Sequence, residues 1–259
     1  KRFGSNNQSD MTKPYQSAET KKKQVQTMFD GIADHYDLLN RMLSFGIDRG
    51  WRRRTVDRVL RLHPNEILDM ATGTGDLAIQ LAQRIPQAHV TGVDLSEGML
   101  SIGREKAQKK GLSERIDFVS GDAESAAYGT ERFDVATVAF GVRNFENIPA
   151  GIAGMFRALK PGGHLFVLEF GMPQNGLFGA CYNFYFRQVL PRIGGWISKD
   201  KAAYTYLPDS VREFPYGERF VELLHVGGFR NGGFRNLSGG IAQIYWAEKP
   251  SEQKTVLGK

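Results

Sequence analysis

Among 259 residues there is one cysteine, Cys181. A lone thiol closes no internal disulfide, and no Cys/His grouping has metal-ligand spacing, so disulfide scaffolds and zinc folds are excluded and a reducing, cytoplasmic setting is expected. Cys181 lies among aromatics (A-C-Y-N-F-Y-F), the surroundings of a buried structural thiol. Long apolar runs are also missing. None approaches the roughly 18 residues of a membrane-spanning helix, and the longest, 135–142 and 165–170, have strand length. There is no apolar h-region near the start, and no secretion signal is expected. Internal repeats and low-complexity tracts are absent too.

What is present is a soluble-protein composition, 41% hydrophobic and 24% charged, with a net charge of +6 and a pI near 9.4. That excess suits a polyanion or an anionic bilayer. Much of it sits in two clusters, Lys21-Lys22-Lys23 and Arg52-Arg53-Arg54, which by default are solvated helix faces.

The chain is organised around I-L-D-M-A-T-G-T-G-D-L, residues 67–77. An apolar strand ends in Asp69, passes a loop in which Gly73 and Gly75 leave the backbone bare, and restarts as a helix at Asp76. Glycine reaches positive φ cheaply and lets a ligand approach the main chain, and helix-start amides point at whatever binds there. A second strand, H-V-T-G-V-D, ends in Asp94 about 20 residues on, where a ribose-binding carboxylate belongs. A plain turn and a helix cap would use the same residues.

From Glu66 onward strands and helices alternate, which predicts a doubly wound, mostly parallel α/β sheet. Strands are expected at 66–70, 89–94, 116–120, 133–139 and 164–170, with helices at 76–84, 97–110 and 148–159. Lys160-Pro161-Gly162-Gly163 reads as a turn. Residues 1–21 read as a disordered arm or tag in which Met11 could be the native start, 22–249 as one domain, and 250–259 as a tail. Before the first strand, helical spacing starts near Lys22. Two short helical pieces flank Gly46, with Asp48 as N-cap of the second, and Tyr36, Asp37 and Asn40 cluster there without a periodic reason. Residues 171–215, crowded with aromatics and punctuated by Pro191 and Pro208, read as a helical lid over the strand ends. A helix at 217–226 and a hairpin turning at Ser238-Gly239-Gly240 close the domain. Gly121-Asp122-Ala123-Glu124 and Ala139 to Asn144 fall at carboxyl ends of strands, the ligand side of such sheets.

G-I-A-D-H-Y-D-L-L-N-R-M-L-S-F-G-I-D-R-G-W-R (31–52), L-D-M-A-T-G-T-G-D-L (68–77) and R-A-L-K-P-G-G-H-L-F-V-L-E-F (157–170) resemble class I S-adenosylmethionine-dependent methyltransferases, and within them the ubiquinone/menaquinone biosynthesis C-methyltransferases. A-F-G-V-R-N, Y-T-Y-L-P-D-S-V-R-E-F-P and N-L-S-G-G-I-A extend the similarity from about residue 22 onward. Leu39, Asp48 and Ala139 depart from the common pattern of Met, His and Ser at those positions.

The resemblance implies a Rossmann-like methyltransferase fold with S-adenosylmethionine as cofactor. It implies that Asp69 and the Gly73, Thr74, Gly75 loop take the methionine end, that Asp94 takes the ribose, and that Asp122 and Ala123 take the adenine. The implied chemistry is C-methylation of a prenylated quinol with Arg143, Asn144 and Tyr36 at the reacting oxygen. The naphthoquinol is favoured, the benzoquinol stays open, and an RNA methyltransferase is the distant rival. Transient contact with the inner membrane face is expected, a homo-oligomer stays open, and neither metal nor nucleic acid is expected.

Overall fold

In β1, Glu66–Met70, four of five residues are buried. Ile67 and Leu68 are both 0% exposed and point to opposite faces, because successive strand side chains alternate. Ile67 packs with Val56, Val59, Leu77 and Leu81, Leu68 with Phe133, Ile152, Met155 and Phe220. Each such burial contributes about 1.5–3 kcal/mol, so a strand apolar on both faces takes the middle of a sheet covered on both sides.

The computed structural model describes residues 12–15, 17–44, 46–125, 128–173 and 201–251. Around β1 lie α1 (Lys21–Leu43), α2 (Asp48–Leu60), α3 (Asp76–Arg84), β2 (His89–Asp94), α4 (Glu97–Lys109), β3 (Ile116–Ser120), β4 (Phe133–Ala139), α5 (Ile148–Ala158), β5 (Leu159–Phe170), α6 (Lys201–Glu213), α7 (Glu218–Val226), β6 (Arg230–Leu237) and β7 (Ala242–Glu248). The sheet runs β3-β2-β1-β4-β5-β7-β6. Its first five strands are parallel, and β7 is antiparallel to both neighbours. This is the expected doubly wound, mostly parallel Rossmann-like sheet with N-terminal helices. No helix among the described residues is long and apolar enough to cross a membrane.

The departures from expectation are local and have physical reasons. β5 begins at Leu159, because Leu159 pairs with Phe133 and the Pro-Gly-Gly stretch is absorbed as a register shift, with Gly162 at φ +77 donating to Lys249 O at 2.9 Å. The first helical piece near Gly46 is the end of one 23-residue helix, α1. Gly46, at φ +75, closes it by donating to Arg41 O at 2.7 Å.

Asp48 is not an N-cap. Ile47 holds that position without a side-chain bond, while Asp48 accepts from Ser44 Oγ at 2.8 Å and pairs with Arg52. Part of the expected arm is anchored, since Pro14 is buried, Thr12 N donates to Glu213 at 2.9 Å and Tyr15 N to Gln24 at 2.9 Å. α6 continues through Pro208. The rest of the expected lid, residues 174–200 with Cys181 and Pro191, lies outside the described residues, as do 1–11 and 252–259.

Candidate active site

β2 and β3 lie on one side of β1, and β4 lies on the other. Where strand order reverses, the connections leaving neighbouring strands diverge and open a crevice at their carboxyl ends. Here it is a cleft of about 670 Å³ whose lining includes Ala71, Gly73, Asp94, Asp122, Gly141 and Asn144. Ala71 at φ +51 and Phe140 at φ +59 end β1 and β4 in left-handed backbone, a strained state for non-glycine residues that persists only where surroundings enforce it. The two turns touch: a Cβ on Gly141 would fall 2.5 Å from that of Ala71.

Tyr36, Gly73, Asp94, Asp122, Ala123 and Asn144 are brought together in this cleft. Asp69 and Thr74 line a smaller adjoining cavity of about 330 Å³, which shares Tyr36, Ala71 and Phe140 with the cleft. Of the expected site residues, Gly75 and Arg143 line neither. Gly75 is a packing position. Its φ is +77 and a Cβ there would meet the Phe118 ring at 2.7 Å, while its N–H bonds Thr72 O at 3.0 Å.

Asp94 accepts from Gly73 N at 2.8 Å and Ser96 N at 3.0 Å, so it splints the glycine loop; the cap of α4 is Ser96, bonded to Met99 N. Burial raises the Asp94 carboxyl above its ordinary value. Asp69 is pushed up to about 6 by burial, against the opposing bonds from Thr137 and Thr72, each 2.6 Å long. The Thr74 hydroxyl donates to Asp37 at 2.6 Å and receives Lys106 Nζ at 3.1 Å, which is the structural reason for Asp37 in the unexplained polar cluster.

α1 roofs the cleft with residues that periodicity marked only as helix surface. Lys22 reaches Asp122 at 2.7 Å and Glu124 at 3.1 Å, and Gln26 donates to Leu95 O at 2.9 Å. Burial works against the Lys22 charge, yet the bonds to Asp122 and Glu124 outweigh it and raise its pKa. On the opposite side, Tyr206 of α6 bonds Asn144 at 3.2 Å, and burial raises its phenol.

Arg143 sits behind Asn144. It is paired with Glu169 at 2.7 Å, their side chains 2% and 0% exposed, and donates to Phe140 O. Its Nε is buried without a partner among the described residues. Glu169 went unnoticed in the sequence, although a single acid inside the apolar strand V-L-E-F signals a buried partner. Arg52, read there as part of a solvated run, is also buried.

Residues 17–249 match the ubiE/COQ5 methyltransferase family. The chain is 48% identical over 236 residues to a demethylmenaquinone methyltransferase of Deinococcus radiodurans, spanning 91% of this chain and 97% of that one. It is 44% identical over 237 residues to another of Bacteroides fragilis, spanning 92% and 97%. Among solved structures, the cyclase SpnF superposes with a TM-score of 0.65 at 19% identity, over 93% of this chain and 100% of that one. That likeness speaks to architecture alone, since one fold hosts many chemistries. The family match runs through the sheet, the switch-point cleft and the roof over it, and the chain belongs to the ubiE/COQ5 methyltransferase family.

Proposed function

We propose that this protein transfers a methyl group from S-adenosylmethionine to a ring carbon of a prenylated naphthoquinol, converting demethylmenaquinol to menaquinol in the last step of menaquinone biosynthesis. The observation that carries the reading is the sustained identity to demethylmenaquinone methyltransferases over nearly the whole chain. It is supported by a cleft that gathers Gly73, Asp94, Asp122 and Ala123 beside Tyr36 and Asn144.

The donor set fits the cofactor. Asp94 spends one lone pair of each oxygen on a backbone amide and keeps others for two ribose hydroxyls, since a carboxylate offers about four acceptor sites. Asp122 and the Ala123 backbone face the adenine end, and the Gly73 loop and Asp69 face the amino-acid end. Thr74 and Gly75 serve the loop's shape: the Thr74 hydroxyl is held by Asp37, and the space beside Gly75 is filled by Phe118. S-adenosylmethionine, when bound, supplies an electrophilic methyl group.

A ring carbon accepts a methyl group readily once the adjacent phenol has lost its proton, because the phenolate pushes electron density onto that carbon. For a phenol of pKa about 10, ionisation at pH 7 costs about 4 kcal/mol, and a nearby opposite charge recovers about 1–3 pKa units of it. In this reading Arg143 supplies that charge. Arg143 lines neither cavity, so it acts through its field from behind Asn144, while Glu169 fixes its orientation and offsets part of that field. Asn144 and Tyr36 bond the quinol oxygen or a bridging water, and water carries the phenol proton away, since a guanidinium has no acceptor site; after methyl transfer the ring carbon gives up its own hydrogen as a proton to water and the quinol oxygen is reprotonated.

The prenyl tail places the work at a bilayer, into which it partitions at about 0.8 kcal/mol per CH₂. Arg49, Arg53, Arg54 and Arg61 are exposed, and each basic residue near an anionic surface adds about 1 kcal/mol, so contact is loose, peripheral and salt-sensitive at the inner membrane face. Flotation with liposomes tests this part, and binding indifferent to both salt and anionic lipid refutes it. The reaction is tested by incubating the protein with methyl-labelled cofactor and demethylated naphthoquinol or benzoquinol, each reduced and oxidised. The reduced naphthoquinol is expected to take the label on carbon; label on oxygen or nitrogen, or none, refutes the proposal.

A further inference from the structure

Tyr206 stands on α6, 62 positions beyond Asn144, and is 3% exposed. It packs with Val25, Met28, Ile32 and Ala33 of α1 and with Met99 of α4, so three helices together fix its ring. From there the hydroxyl donates to Asn144 Oδ1 at 3.2 Å. Burial raises the phenol and outweighs Arg143, which pulls it down, while Glu213 and Glu169 add to the rise. The hydroxyl therefore keeps its proton and stays a donor.

The other end of the amide has its own partner. Asn144 Nδ2 makes a long bond, 3.5 Å, to Phe140 O, the carbonyl that also receives Arg143. Turning the amide over would set Oδ1 against that carbonyl, acceptor against acceptor, and would leave the Tyr206 hydroxyl facing an N–H with no acceptor for its own hydrogen. Both contacts select the same orientation. Asn144 lines the main cleft and Tyr206 does not. With its oxygen turned to Tyr206 and one N–H turned to Phe140 O, Asn144 has its second N–H left for a ligand, since a primary amide carries two.

The sign of that choice matters for a quinol. A donor at the quinol oxygen favours the phenolate, whereas an acceptor there takes the phenol O–H and favours the neutral ring. We propose that Tyr206 is a positioning residue that locks the Asn144 amide with its N–H end toward the substrate oxygen, so that Asn144 stabilises the ionised quinol and does not hold the neutral one. The inference rests on the quinol reading given above and adds to it the residue that sets the polarity of Asn144. Arg143 supplies a field, Asn144 supplies the hydrogen bond, and Tyr206 decides the direction of that bond.

The test reads the ionisation of a bound ring directly. The naphthol para-nitro-α-naphthol changes colour on losing its proton, and its absorbance is titrated from acid to neutral pH in the complex with S-adenosylhomocysteine. Tyr206→Phe keeps the ring in its apolar setting and removes only the hydroxyl. It is expected to raise the pKa of the bound probe by about one unit, the scale of losing a hydrogen bond that favours the charged form. On the reduced naphthoquinol it should lower kcat about tenfold at neutral pH, with KM within about threefold of wild type. Asn144→Ala is expected to raise the probe's pKa by a similar amount, and adding Tyr206→Phe to Asn144→Ala should change it no further, because the tyrosine acts through the amide.

An unchanged probe pKa in Tyr206→Phe, with or without a fall in thermal stability, would mean that Tyr206 only packs α6 against α1 and would overturn the proposal. So would a Tyr206→Phe shift that persists undiminished in the Asn144→Ala background. A wild-type complex that leaves the probe's pKa at or above its value in free solution would overturn it as well, and needs no variant. Failure of wild type to bind the probe and to methylate the reduced naphthoquinol would overturn the quinol reading and this inference with it, an outcome distinct from a Tyr206→Phe enzyme that ionises the ring as wild type does.

Discussion

Arg143 Nη1 lies 2.7 Å from Glu169 Oε1, with the two side chains 2% and 0% exposed. The pair joins the turn after β4 to the end of β5. Glu169 Oε1 also accepts from Phe170 N at 2.9 Å, so the carboxylate is held on the strand side as well.

Glu169→Gln removes the counter-charge and leaves a guanidinium buried. Breaking one side of a buried pair costs about 3–5 kcal/mol, and the urea midpoint should fall accordingly. Arg143→Ala is expected to lower kcat by at least ~100-fold, the scale of losing one preorganised electrostatic contact, with cofactor affinity little changed. Steady-state kinetics beside cofactor titration decides it. Equal losses in both would remove Arg143 from the reacting oxygen.

Gly141→Ala puts a methyl group against Ala71, 2.5 Å Cβ to Cβ. Both neighbours are backbone turns at the cleft, so neither yields cheaply, and overpacking of this kind costs about 1–3 kcal/mol. Cofactor affinity should fall together with thermal stability, whereas Gly31→Ala, with nothing within 4 Å of its added Cβ, should cost neither.

Asp69 gives the stability curve a defined sign. Burial raises its folded pKa to about 6, above the 3.8 of an exposed carboxyl, so the folded state holds its proton more tightly than the unfolded chain does. The associated stabilisation is present below about pH 4 and lost as pH climbs to 6, amounting to about 3 kcal/mol for roughly two units. Urea titrations from pH 4 to 7 should show this slope in wild type and not in Asp69→Asn, after subtraction of the slope common to both. Cofactor binding should tighten over the same interval in wild type, as the carboxylate becomes available to a cation.

Lys22 closes the cleft from α1 by pairing with Asp122 and Glu124, its side chain 30% exposed and theirs 27% and 11%. A ligand approaching Asp122 must displace or share that ammonium. Lys22→Met should speed cofactor association and flatten its salt dependence in stopped-flow measurements, while changing stability by less than about 1 kcal/mol, as expected for a partly solvated pair. Unchanged association kinetics would show that Lys22 stands clear of the entry path.

The sequence by itself determined the sheet and most of the residues that meet in the switch-point cleft. Ile67 and Leu68 are apolar in succession, the glycine loop follows at once, Asp94 ends β2 and Asp122 lies just past the end of β3, so strand identity, backbone freedom and the acids at the rim are all properties of short contiguous stretches. Asp48 shows the limit: it has the chemistry of a helix cap, but a buried arginine one turn on claims it as an ion-pair partner. Only the tertiary structure decided which charges meet. Lys22 and Asp122 are 100 positions apart and Arg143 and Glu169 are 26 apart, and no local periodicity records such pairings. Whether a cation is a solvated surface charge, as Arg53 is, or a buried donor lining a cavity, as Arg52 is, depends on what the rest of the chain packs over it, because burial sets the dielectric and the dielectric sets what a charge can do.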